Sequence, residues 1–69
     1  MRKISVIIAN RHYTSICLED EFYDELKKIA ARRGVSINTL VTEIDAARKQ
    51  ENLSSAIRVF ILKSLKNEA

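Results

Sequence analysis

Ser36 and Asn38 stand two places apart just after the chain's single glycine, Gly34, in the run GVSINTL. Short polar side chains at this spacing suit the first turn of a helix. There a Ser36 hydroxyl accepts a backbone N–H from Asn38 or Thr39. The amides left over, together with the helix dipole, favour an anion such as phosphate. A second set lies upstream in RHYTSICLE, residues 11–19, where side chains alternate in character. Tyr13, Ser15 and Cys17 fall on one face of an extended segment, and Thr14, Ile16 and Leu18 on the other. The first face offers a phenol, a hydroxyl and a thiol, with Arg11 at its entrance. This is chemistry of recognition rather than of reaction.

Nothing else in the chain assembles a reaction centre. Cys17 is the only cysteine and His12 the only histidine, so neither an internal disulfide nor a Cys/His zinc site can be built. There is no Ser/His/Asp set and no glycine-rich phosphate loop. The acidic run Glu19-Asp20-Glu21 opens a helix, where its role toward the dipole is sufficient. No helix terminus or charge is in view to activate the Cys17 thiol, which reads either as part of the outward face or as a small buried hydrophobe. The expectation is a protein that is not an enzyme, with no cofactor, no metal and no catalytic residue.

With 69 residues the chain is read as one domain, 1–69. A domain of this size buries only about 60% of the surface its unfolded form exposes. Disulfides and metals being excluded, oligomerisation is the remaining remedy, and a homodimer is expected. Twelve Lys and Arg against nine Asp and Glu give a net charge of +3, with a pI near 9.3. That balance is compatible with a polyanionic partner. The run Ile4 to Ala9 is too short for a signal-peptide core of about 7–15 residues. No stretch approaches the ~20 apolar residues that span a bilayer. A cytoplasmic, nucleoid-associated protein is expected, with no membrane role.

The elements that must position these residues follow from periodicity. ISVII, residues 4–8, reads as a strand or strand-like arm, and residues 13–18 as a second strand. Arg2 and Lys3 precede them as a basic arm. From Asp20 the period changes: Phe22, Leu26, Ile29 and Ala30 recur at helical spacing. Acidic residues at the start and Lys27, Lys28, Arg32 and Arg33 at the end place a first helix at 20–33, closed by Gly34. A second helix, about 37–49, carries Leu40, Val41, Ile44 and Ala47 on its apolar stripe. A third, about 53–66 and capped by Asn52, carries Leu53, Ala56, Ile57, Phe60, Ile61 and Leu65. It reads as the most amphipathic segment of the chain, facing core or dimer interface. Phe22, Ile29, Leu40, Ile44, Ile57 and Phe60 are the expected core. Arg48, Lys49, Arg58, Lys63 and Lys66 are expected to solvate helix faces.

A lone strand followed by helices cannot complete its own ladder. A two-fold axis, with residues 13–18 pairing antiparallel to their own copy, is the simplest closure. The ISVII arm is then free to pair alongside as a hairpin and protect an edge. A narrow ribbon on a basic protein suits the major groove. At this point the chain resembles the ribbon-helix-helix DNA-binding proteins of the Arc and Met repressor type. Gly34, Ser36 and Asn38 fit the Gly-x-Ser/Thr/Asn-x-Ser/Thr/Asn turn of that family. TSICLED, LKKIAARRGVSINTLVTEID and NLSSAIRVFIL are similar to short bacterial members with an extra C-terminal helix. The tendency in those members is toward arginine at the position of Tyr13 and a polar residue at that of Cys17.

The resemblance implies a mainly α fold with a short N-terminal β-ribbon: a β-α-α dimer plus a third helix and an extra N-terminal strand. It implies a transcriptional regulator of a bacterium or phage that binds double-stranded DNA. Arg11, Tyr13, Ser15 and Cys17 are its candidate base readers, and Ser36 and Asn38 its phosphate contacts. Two dimers on adjacent half-sites would form a tetramer. The alternative is a homodimeric protein-interaction module or antitoxin-like protein that binds a partner protein with the same fold.

Overall fold

The computed structural model describes residues 1–9, 11–49 and 51–68, with the backbone alone at Glu68. Asn10 and Gln50, which the sequence places in connecting segments, lie outside the described residues, as does Ala69. Two strands, β1 (Arg2–Ile8) and β2 (His12–Leu18), precede three helices, α1 (Asp20–Arg33), α2 (Ile37–Ala47) and α3 (Leu53–Glu68). This is a two-stranded antiparallel ribbon followed by helices, the class expected from the sequence.

The partner of β2 is β1 of the same chain. The register runs from Arg2 opposite Leu18 to Ile8 opposite His12. From the sequence a second copy is the first expected partner of β2, with the hairpin as an addition. Within the chain the hairpin is the primary pairing, because Arg2 and Lys3 extend the ISVII run into a strand as long as β2. The expected flexible arm is therefore a strand end. Arg2 is tied to Asp20 at 3.2 Å and lies over the Tyr23 ring at 5.0 Å. Ile8 C=O accepts from Arg11 N–H at 3.1 Å across the connection. Ala9 sits there at φ 56°, the left-handed region that costs a residue with a Cβ about 1–2 kcal/mol.

Alternation buries one face of the hairpin. Val6, Ile16 and Leu18 pack onto Leu26, Ile29 and Ala30 of α1, Leu40, Val41 and Ile44 of α2, and Ala56, Ile57 and Ile61 of α3. Phe22 and Phe60, expected in the core, are only half-buried. Each is covered on one side by a guanidinium, Arg58 at 5.9 Å from the Phe22 ring and Arg33 at 5.6 Å from that of Phe60. Such rings belong at a rim, where an arginine keeps its charge in water above an aromatic face. Ala47, placed on the apolar stripe of α2, is exposed. Nor is α3 the most one-sided helix, since α1 and α2 segregate polar from apolar residues more sharply. Leu62 and Leu65 of α3 face outward, 52% and 41% exposed.

Helix ends follow the capping rules. Gly34 takes φ 69° and donates its N–H to Ala31 C=O at 3.1 Å, while Val35 N–H reaches Ala30 C=O at 3.0 Å. That is the left-handed C-terminal motif for which glycine is preferred. α2 ends at Ala47 instead of residue 49, because Arg48 is extended and its guanidinium is held by Asp45 at 3.0 Å and by Glu51 C=O. Asn52 Oδ1 accepts from Ser55 N–H at 3.1 Å to start α3.

Ala9 and Gly34 occupy the same backbone region with opposite residue types, so exchange should act in opposite directions. Ala9→Gly is expected to raise stability by about 0.5–1 kcal/mol, relief of backbone strain outweighing added unfolded-state entropy. Gly34→Ala, which meets no atom within 4 Å, is expected to lower it by about 1 kcal/mol through backbone strain alone. Chemical denaturation of the two variants measures both shifts.

Candidate nucleic-acid interface

Tyr13, Ser15 and Cys17 all point away from the helices and are exposed, Tyr13 to 82%. The alternative of a buried Cys17 is therefore excluded, and its thiol is free at the surface. Opposite them on β1 stand Ile7, Ser5 and Lys3 respectively. The outward face of the hairpin is thus made by both strands. Sequence reasoning assigned it to residues 13–17 alone. The alternation Lys3, Ser5, Ile7 against Ile4, Val6, Ile8 was the signal for β1's share. It is blurred by the apolar Ile7 on the outer side. Arg11 is exposed at the turn end and Lys3 at the other, so positive charge brackets a neutral centre. Among the described residues no carboxylate pairs with Lys3 or Arg11.

The backbone edges of the hairpin are partly occupied. Cys17 N–H donates to Ser54 Oγ at 3.2 Å, and Cys17 C=O accepts from Arg58 Nη2 at 3.1 Å. Both Cys17 groups therefore turn away from β1, and strand alternation turns those of Ser15 and Tyr13 the same way. On the opposite edge Ile7 N–H donates to Asn38 Oδ1 at 3.2 Å, and Ala9 N–H to Thr42 Oγ1 at 3.0 Å. Helix α2 thus guards the edge of β1, and α3 that of β2.

Ser36 caps α2 as expected, its Oγ accepting from Thr39 N–H at 3.1 Å. The amides of Ile37 and Asn38 precede the first intrahelical bond, Leu40 N–H to Ser36 C=O at 3.0 Å. A recess lined by Ile7, Ala9, Ser36, Asn38, Thr39, Thr42 and Glu43 lies here, where α2 meets the hairpin. Ser36 and Asn38 are accordingly at the flank of the ribbon and not on its outward face. Asn38 Oδ1 is already engaged with β1. Among the described residues nothing accepts from its amide N–H groups or from the amides of Ile37 and Asn38, which leaves them for an outside acceptor.

Arg58, expected from the sequence to solvate a helix face, is instead a tie between elements. Its Nε donates to Glu19 Oε1 at 3.0 Å while Nη2 holds Cys17 C=O. The Glu19 carboxyl is held below the ordinary carboxylate value by its own backbone N–H and by Arg58. Exposed ion pairs such as Lys27–Asp24 at 3.7 Å and Arg33–Glu43 at 3.6 Å contribute little. Among the described residues no group of three or more His, Cys, Asp or Glu side chains is placed to hold a metal ion. No helix described is long and apolar enough to cross a membrane.

A hairpin ribbon lying on helices, with a capped helix start beside its edge, is matched by a family model, the ribbon-helix-helix domain, over residues 1–65. The chain belongs to the ribbon-helix-helix family. No curated protein and no solved structure matches it. Ribbon-helix-helix proteins of this kind are DNA-binding regulators and not enzymes, so fold and membership together support a general DNA-binding role.

Depression of the Glu19 pKa has a definite sign. The stability it contributes is complete above the unfolded-state value and is lost as pH falls through the lower, folded value. Glu19→Gln is expected to melt below wild type at neutral pH. The difference should close as pH drops below the ordinary carboxylate range, in melts followed from about pH 7 to about pH 3.

Proposed function

We propose that this ribbon-helix-helix chain is a sequence-specific DNA-binding protein. It serves as a transcriptional regulator in a bacterium or phage, acting in the cytoplasm as a homodimer. The antiparallel ribbon enters the major groove, about 12 Å wide and able to take two strands. The start of α2 meets a flanking phosphate, which fixes register without carrying sequence information. The observation that carries this reading is the exposed hairpin face with Ser36 and Asn38 beside its edge, in a chain of net charge +3. Tyr13, Ser15 and Cys17, with Arg11 at the turn, are the base-facing set, and Ser36 and Asn38 the phosphate-facing set. Two dimers on half-sites about one helical turn apart would make the tetramer.

Two ribbons satisfy this architecture. One is intermolecular, a second copy adding its strand to the outer edge of β2. That edge offers Tyr13 and Ser15, since the backbone of Cys17 is taken by α3. The other is the hairpin of a single chain.

The antitoxin-like or protein-binding reading is favoured by a separate feature. Phe22, Arg58, Val59, Ile61, Leu62 and Leu65 line an apolar groove between α1 and α3. Covered by a second copy it is the dimer interface; covered by another protein it is a docking site. Leu62→Glu with Leu65→Glu is expected to halve the particle mass in light scattering if the groove holds the homodimer. An unchanged mass assigns dimerisation elsewhere.

For DNA binding itself, neutralising about four phosphates gives a slope of log K on log salt near −3.6. The purified protein is expected to bind duplex genomic fragments with sequence preference and to lose on the order of 10²-fold in affinity between 50 and 200 mM salt. Fluorescence anisotropy that finds neither preference nor salt dependence refutes the function.

A further inference from the structure

We propose that the groove between the end of α2 and the middle of α3 docks an acidic amphipathic helix of another protein. Apolar side chains of that helix enter the groove and its carboxylates meet the rim. No hairpin residue lines this groove. It is distinct from the groove between α1 and α3, although Val59 borders both. The inference does not rest on the DNA-binding role.

The floor comes from two stripes that the fold leaves partly uncovered. Leu40, Val41 and Ile44 of α2 are buried, but Ala47, next on the same stripe, is exposed. Arg48 then leaves the helix in an extended conformation, so no further turn of α2 covers the position. Across the groove Ala56 is buried, while Val59 and Phe60 are half-buried. Ala47 and Ala56 carry only a methyl group each, which leaves room between the helices for a side chain from outside. From Ala56 to Lys63 the groove follows about 10 Å of α3, at 1.5 Å per residue. That is two helical turns, the span of anchors at i, i+3 or i+4 and i+7 on a docked helix.

Charge selects the occupant. Arg48, Lys49 and Lys63 stand around the floor, and no carboxylate lines it. Arg48 is held by Asp45. Among the described residues no ion pair or hydrogen bond engages Lys49 or Lys63, and both are exposed. An inorganic polyanion would satisfy the lysines and leave the apolar floor in water. A second copy brings little free negative charge. Its Glu19, Asp20, Asp24, Glu25, Glu43 and Asp45 each face a cation of their own chain. Each copy also carries a net charge of +3, and facing like charges oppose association. A segment whose apolar stripe is flanked by unpaired Asp and Glu meets both floor and rim.

A display library of random peptides about 14 residues long, panned on the wild-type chain, tests this. The comparison proteins are the double variant Lys49→Glu with Lys63→Glu, and Ala47→Glu. All three side chains are exposed, and melting curves confirm that each variant keeps the fold. Enriched peptides are expected to repeat apolar residues at i, i+3 or i+4 and i+7, with Asp or Glu alongside. In fluorescence anisotropy they should bind wild type about tenfold or more tightly than either variant. Replacing their acids by Gln, or their apolar residues by Ser, should cost a similar factor. No enrichment, enrichment without this pattern, or equal affinity for the double variant overturns the proposal. So does full affinity of the Gln or Ser peptides. A particle mass that falls in light scattering with the double variant assigns the groove to a second copy and overturns it as well.

Discussion

A strand's backbone groups need partners. In this chain one edge of each strand is met by the other strand, while the outer edges are met in part by the helices. One edge of β2 is bonded to β1 along its length. On the other edge, α3 supplies Ser54 and Arg58 to Cys17. The outer edge of β1 is met in turn by Asn38 and Thr42 of α2. These contacts fix the hairpin's height and tilt over the helices. They also bring Val6, Ile16 and Leu18 onto the three helical stripes. Position of the outward face follows from the same bonds. The candidate recognition face and the core are therefore two sides of one ladder.

Several residues serve both sides. Asn38 lies in the first turn of α2, where an anion is favoured, and its side-chain oxygen also holds Ile7. Arg58 joins α3 to the last turn-out of β2 and to Glu19, just before α1. Charges that a sequence displays as surface decoration can thus act as struts, because a guanidinium has enough donors to hold a carbonyl and a carboxylate together.

Much of the fold was legible. Period two in residues 13–18 and period three to four from Asp20 onward are strong local signals, and Gly34 with Ser36 marks the helix junction to the residue. What was not legible is tertiary. Whether residues 13–18 pair with the preceding run or with a second copy depends on long-range bonds to Ser54 and Arg58, which leave no local pattern. The half-burial of Phe22 and Phe60 likewise follows from where Arg58 and Arg33 come to rest. Exposure of Leu62 and Leu65 on an otherwise apolar stripe is likewise a matter of tertiary placement. Within the candidate site, the outward face of residues 13–17 followed from alternation. The contribution of β1 was masked because Ile7, though outward, is as apolar as its inward neighbours.

A ladder closed between neighbouring segments also bears on how the molecule is made. When paired strands belong to different chains, folding waits on a bimolecular encounter, and stability varies with protomer concentration. Here the first pairing spans one short connection. A hairpin of this kind closes in about 1–10 μs. Low contact order of the pairing lets each newly synthesised chain organise its hairpin in dilute conditions.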